Sequence, residues 1–318
     1  MKNRTKYLIT AVKLGFTLVA LYLIFLKLTT HDDLSHELRS LSDMWLSVDK
    51  LPMVFLLYVL MLLNWFTEVV KWRLLMGKWV VVSMLTLSRA VLSGVTVSLF
   101  TPNRVGEFAG RVFHLRKRDR VFGALSSIVG SMNQLMITVF FGSLFLIVLS
   151  GDMTELSELK QMLLFGFCIV VSLGFLLVYF NIGRIPSWLN SNLPWKRLSV
   201  YLNTLERFNR KDLVRVSILS CCRYVVFTSQ YVILLIVFGV DVAIFEMVTL
   251  ISVMYLVTSI IPGFAISELA LRGSVAMQLF PDEYSTGVLG ASISIWLINI
   301  VSPAIIGAIS FLYIRSKR

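Results

Sequence analysis

The chain has 318 residues, of which 57% are hydrophobic and only 15% charged, with a mean hydropathy of +0.81. That balance excludes a water-soluble domain and gives the class as an all-α polytopic membrane protein, a single membrane domain over 1–318. The net charge of +12 does not require nucleic acid, because basic and acidic residues are segregated into different loops.

In chain order, the first apolar stretch covers 7–28. It follows Lys2, Arg4 and Lys6, with no small-residue cleavage site after it, and reads as a retained signal anchor. Stretch 51–70 carries Asn64 and Glu68 on one helical face. Stretch 80–100 runs directly into TPNRVGEFAGR, Thr101 to Arg111. Stretch 121–149, with Asn133 and Gln134, and stretch 161–181 follow. Segment 183–212 mixes Pro, Trp and basic residues and is expected to be a cytoplasmic interfacial linker with an amphipathic helix. Stretch 213–238 holds Arg223 and, seven residues on, Gln230. Stretch 244–261 enters IPGFAISELALR, Ile261 to Arg272, and 286–312 is the last span.

The loop charges set the topology. The N-terminus, 71–79, 116–120, 183–215 and 315–318 together hold twenty Lys and Arg against three acids; 27–50, 150–160, 241 and 281–285 hold eleven acids against four bases. With the basic set in the cytoplasm, as the positive-inside rule requires, both termini are cytoplasmic. Segment 80–115 must then enter from the cytoplasm, turn near Pro102 and return, whereas 244–280 must enter and leave on the outer side. The expected architecture is six transmembrane helices plus two re-entrant helical hairpins, with 51–149 and 213–312 as an inverted-topology repeat. Carriers built this way place their substrate at the repeat interface near the midplane.

The two motifs are the main functional signal. Each has Pro and Gly, then a Glu, then an Arg four residues on: Glu107 with Arg111 and Glu268 with Arg272. Helix breakers and charges at membrane depth are tolerated only inside protein or beside a water-filled cavity. Either each i,i+4 pair neutralises itself and pins its hairpin, or the arginines bind an anionic headgroup that the glutamates help to manage. Arg104, Glu107, Arg111, Arg223, Pro262, Gly263, Glu268 and Arg272 are the candidate substrate-binding residues, with Asn64, Glu68, Asn133, Gln134 and Gln230 in support. Arg223 has Glu68 or Glu246 as its expected structural partner. Cys168, Cys221 and Cys222 lie within predicted helices, and His31, His36 and His114 are scattered, so neither a metal nor another cofactor is expected.

At these residues the chain resembles the lysylphosphatidylglycerol synthase transmembrane region, the flippase-like family. PNRVGEFAGRVFHLR is similar to that family's Pro–x–Arg–x–Gly–Glu–x–x–Arg type of signature, and IPGFAISELAL to its Pro–Gly–Gly–x–Gly–x–x–Glu–Ala block. Phe264 and Ile266 stand where glycines are usual and Ser267 where Arg is common. The resemblance implies a stand-alone member without the aminoacyl-transfer domain, in a bacterial or archaeal cytoplasmic membrane. It carries functional weight onto Glu107, Arg111, Pro262, Gly263 and Glu268.

The resulting expectation is a non-enzymatic lipid flippase-like transporter of an anionic or zwitterionic lipid, or a polyprenyl-linked precursor, between leaflets. Its partners are membrane lipids. No GxxxxGK[ST] sequence is present, so its own ATP hydrolysis is not the power source. Two alternatives stay open. One is a non-transporting scaffold for a glycosyltransferase or lipid-modifying enzyme. The other is an intramembrane lipid-modifying enzyme, for which HExxH and GxSxG are both missing.

Overall fold

A computed structural model of the protein describes residues 50–101, 104–151, 157–184, 186, 203–261 and 265–311. The expected first span 7–28, its acidic successor 27–49, Pro102, Pro262, Gly263, most of the 183–212 linker and the basic end 312–318 lie outside the described residues.

The described residues form α1 (Leu51–Met76), α2 (Met84–Leu99), α3 (Gly106–Phe113), α4 (Arg120–Gly151), α5 (Glu158–Phe180), α6 (Arg210–Val237), α7 (Ile244–Ile260), α8 (Ala265–Leu279), α9 (Ser285–Trp296) and α10 (Ser302–Phe311), and no strand occurs among them. Five helical stretches are long and apolar enough to cross a membrane: Leu51–Met76, Lys117–Gly151, Glu158–Phe180, Arg210–Val237 and Asp282–Ser310. The chain is therefore a multi-pass helical membrane protein. In contrast, α2 and α7, with 16 and 17 residues, fall short of the ~20 needed for ~30 Å of hydrocarbon, and the 8 residues of α3 rise only about 12 Å.

Helix ends follow local chemistry. Asn209 caps α6 by accepting from the Asp212 N–H, and Ser83 caps α2 through the Thr86 N–H. The C-terminus of α6 closes at Gly239, whose φ of +75° permits the left-handed residue that the Val240 N–H to Leu235 carbonyl bond requires. Between α9 and α10 the helix widens into a π-turn, Leu297–Val301. Pro303 has no N–H to offer the carbonyl four residues back, that of Asn299. Trp65 Nε1 donates to that carbonyl instead, at 3.2 Å.

Packing is close and pairwise. α1 lies along α6, α2 and α3 pack on each other, α2 also packs on α10, and α7 packs on α4. Where α2 crosses α3, Gly94 and Gly110 meet backbone to backbone: a Cβ on Gly110 would stand 2.6 Å from the Gly94 Cα. At the α2–α10 crossing, a Cβ on Gly307 would stand 2.1 Å from the Leu92 carbonyl oxygen. Lipid tails are as apolar as leucine, so helices in a bilayer gain by this kind of close contact rather than by leaving water. α5 packs on α4 along one side and turns the rest of its surface outward. Leu159, Met162, Leu163, Phe167, Val170 and Leu177 are all exposed on it, the surface expected of a helix wrapped in lipid.

Two sets of contacts fix which helix ends lie together. Trp79, just past α1, stacks on Phe122 at the start of α4 with centroids 5.5 Å apart, and Lys78 pairs with Asp212 at the start of α6 at 2.5 Å. At the other end of α6, Tyr284 Oη donates to the Asp241 carbonyl at 3.3 Å, and Gly287 and Gly290 lie against Phe238.

Candidate functional site

The buried polar residues converge on one carboxylate. Glu68, on α1 and only 4% exposed, accepts from three cations: Lys71 Nζ at 2.7 Å, Arg111 Nη2 at 2.8 Å, and Arg223 Nη1. Arg111 also binds Glu107, its partner one turn back on α3, and lies over the Trp72 ring. The Gly94–Gly110 crossing makes this reach possible, because it lets α3 lie flat on α2 with Arg111 directed at α1. Arg223 Nε donates to Asn64 Oδ1 at 2.8 Å, and Asn64 Nδ2 in turn donates to Asn299 Oδ1 at 3.3 Å. The guanidinium of Arg223 sits over Trp65 at 5.4 Å. An ion taken out of water survives only with such saturation of partners.

A second cluster belongs to α8. Arg272 pairs with Glu268 at 2.6 Å and lies over both Phe227 and Tyr255, with 5.6 and 5.8 Å to the centroids. Arg104 joins it from the turn before α3, with Nη1 4.0 Å from Glu268 Oε1. Arg104 holds φ at +55°, left-handed backbone that a non-glycine residue adopts at a cost, and strain of this kind gathers at functional sites.

Between the clusters lies a cavity of about 530 Å³. Arg104, Arg223, Arg272 and Glu268 line it, with Asn64, Gln134 and Asn299 as neutral polar groups and Trp65, Tyr224, Phe227 and Tyr255 as aromatic walls. Elements α1, α4, α6, α7, α8 and the π-turn all contribute, as does the turn before α3. Three arginines against one carboxylate leave the lining at +2. Counting the whole buried network among the described residues gives the same result, since Lys71, Arg104, Arg111, Arg223 and Arg272 face Glu68, Glu107 and Glu268. A concave, partly apolar site with unbalanced arginine charge suits an anion in chemical terms.

The sequence motifs are thus brought to one place but in unequal roles. The Glu268–Arg272 pair and Arg104 and Arg223 face the cavity. Glu107 and Arg111 do not line it and belong to the ion-pair network behind, so of the two motif pairs Glu268–Arg272 is the one that faces the cavity. Glu68 likewise stands behind the lining as the anchor of Arg223. Asn133 donates to Ser217 Oγ at 2.8 Å and Gln230 to the Leu57 carbonyl at 2.8 Å, both as bonds between helices, while Gln134 reaches the Ser220 carbonyl and also lines the cavity. Glu246 is exposed in the first turn of α7, which leaves Glu68 as the acid that holds Arg223. Lys71 corrects the loop reading: it is 1% exposed, within α1, rather than part of a cytoplasmic basic patch. The spacing of 64, 68 and 71 puts it on the face of Asn64 and Glu68, but spacing alone does not separate an inward lysine from one that snorkels. Trp65 and Tyr255 carry no signal that separates a cavity wall from ordinary core.

No metal-binding group of three or more His, Cys, Asp or Glu side chains occurs among the described residues. Comparison with known proteins finds no matching family, no similar curated protein and no similar solved structure.

Proposed function

We propose that the chain is a flippase-like carrier that moves an anionic or zwitterionic lipid, or a polyprenyl-linked precursor, between the leaflets of a cytoplasmic membrane. One observation carries this reading: a 530 Å³ cavity lined by Arg104, Arg223, Arg272 and Glu268, enclosed by helices from both halves of the chain. Buried ionisable groups at membrane depth mark a substrate path more often than a structural need. The sequence resemblance to the flippase-like family points the same way.

The proposed architecture is the six-span inverted repeat with two re-entrant hairpins. The end of α1 and the starts of α4 and α6 share one end of the bundle, so α2 and α3 leave and return at that end. The end of α6 and the start of α9 share the other end, so α7 and α8 do the same from the opposite side. The pairings of α2 with α10 and α7 with α4 exchange under the same operation, which favours two equivalent halves, 51–149 and 213–312. The positive-inside rule orients the α1–α4–α6 junction toward the cytoplasm.

The test is a leaflet assay in liposomes carrying labelled anionic phospholipid or polyprenyl phosphate. Native protein is expected to accelerate crossing, and Arg272→Ala and Arg104→Ala to reduce it at least tenfold while remaining folded. A chemically altered lipid would instead identify an intramembrane enzyme. Failure of well-folded native protein to move any lipid would favour the scaffold reading.

A further inference from the structure

We infer that the cavity is selective for a doubly charged phosphate monoester over a singly charged phosphodiester, which rests on the carrier reading and narrows its substrate class. The first ground is charge. Three arginines and one glutamate line the cavity, and the network behind it is neutral in itself, with Lys71 and Arg111 set against Glu68 and Glu107, so a net +2 remains among the described residues. A monoester dianion balances that charge, whereas a diester leaves half of it uncompensated in a low-dielectric site.

The second ground is donor count. Arg223 is committed to Glu68 and Asn64, but the other two arginines are not saturated. Arg104 approaches Glu268 only at 4.0 Å, and Arg272 Nε is buried without a hydrogen-bond partner among the described residues. Tyr255, 7% exposed and part of the cavity wall, has a hydroxyl in the same condition. Both spare donors lie beneath the cavity surface rather than on it, so a group with several terminal oxygens that only accept engages them once these side chains turn toward it. A monoester has three such oxygens and a diester two. Arginine is the side chain fitted to such an array, since its planar fork meets two oxygens at once.

The shared chemistry is the phosphate monoester, and it can come from a lipid headgroup or from free phosphate. The cavity's apolar side favours the lipid. Ile260, 73% exposed, and Ile261 continue from the wall at the end of α7, so the rim is hydrocarbon-compatible.

The experiment uses the purified full chain in nanodiscs of neutral phosphatidylcholine at pH 8, where the monoester's second proton, with a pKa of about 6, is lost. Binding is measured for dioleoyl phosphatidic acid, for its methyl ester dioleoyl phosphatidylmethanol, and for inorganic phosphate. The methyl ester differs by one CH₃ and one charge. Phosphatidic acid is expected to bind at least tenfold tighter than the methyl ester, and inorganic phosphate at least a hundredfold more weakly than phosphatidic acid. Tyr255→Phe and Arg272→Gln are expected to shrink the preference for the monoester toward unity, with the methyl ester's own affinity changing less. Equal binding of the two lipids overturns the inference but leaves an anionic-lipid carrier standing. Binding of neither lipid removes both. Phosphate bound as tightly as the lipid assigns the site to a soluble anion and overturns the lipid source. If Arg272→Gln misfolds, the native comparison of ester with acid still decides.

Discussion

At the scale of single residues, Glu68 holds the greatest leverage. One carboxylate compensates Lys71, Arg111 and Arg223 at once. Replacing it with a neutral isostere leaves Lys71 and Arg223 without an acid and Arg111 with Glu107 alone, and uncompensated buried charge costs about 3–5 kcal/mol. Glu68→Gln is therefore expected to lower stability by about that amount in reversible detergent unfolding. Adding Lys71→Met to Glu68→Gln should recover part of the loss, because it removes one of the stranded cations. This hub is half legible in the sequence. Asn64 and Glu68 stand out as polar residues inside an apolar run, and Arg223 has Glu68 as one of two candidate partners. Lys71 is not legible as buried, because a lysine near the end of a span looks the same whether it snorkels to the headgroups or turns inward. What decides is the acid one turn before it, which holds the ammonium inside.

At the scale of elements, the glycine crossings set how near α2 comes to α3 and α10. A methyl group on Gly307 would stand 2.1 Å from a backbone oxygen of α2, and backbone cannot step aside as a side chain can. Gly307→Ala is expected to destabilise by about 1–3 kcal/mol, the range for overpacking, and to slow lipid crossing in the leaflet assay. A methyl group on Gly174 of α5 would meet nothing within 4 Å, so Gly174→Ala is expected to change stability by less than about 0.5 kcal/mol. A pair of equal effects would show that both report helix propensity instead of packing. The existence of the long helices is readable from hydropathy alone, since a run of about twenty apolar residues has few other meanings. The short helices are harder. α3 and α8 are marked in the sequence only by their Pro–Gly breaks, and no periodic pattern could say that Arg111 turns toward α1 while Arg272 faces the cavity. That difference is made by the Gly94–Gly110 contact, a tertiary event between residues sixteen apart.

At the scale of the whole molecule, the prediction concerns sidedness. In a chain with Cys168, Cys221 and Cys222 replaced by Ala, single cysteines at Arg118 and at Glu283 occupy exposed turns at opposite ends of the bundle. A membrane-impermeant maleimide added to intact cells is expected to label Glu283→Cys and to reach Arg118→Cys only after permeabilisation. Labelling of both from outside would break the proposed topology at the first hairpin, and labelling of neither from outside would break it at the second. The loop charges carry this layout in the sequence because the positive-inside rule acts on composition, not on fold. The meeting of Arg104 with Glu268 is beyond it, for that contact depends on how the turn before α3 and the helix α8 are placed in the bundle.

The surplus of positive charge in the cavity also bears on the return half of the transport cycle proposed above. Loaded with a dianion, the site is close to neutral and its reorientation is indifferent to membrane voltage. Unloaded, it carries up to two charges through whatever part of the field it traverses, at ~2.3 kcal/mol per charge for each 100 mV. In an energised cell, negative inside, the bare carrier is drawn toward its inward-facing state and held there. On the carrier reading proposed above, such a protein runs fastest as an exchanger with a second dianion riding back, a mode that moves no net charge, whereas one-way flow is driven by the membrane potential as well as by the lipid gradient.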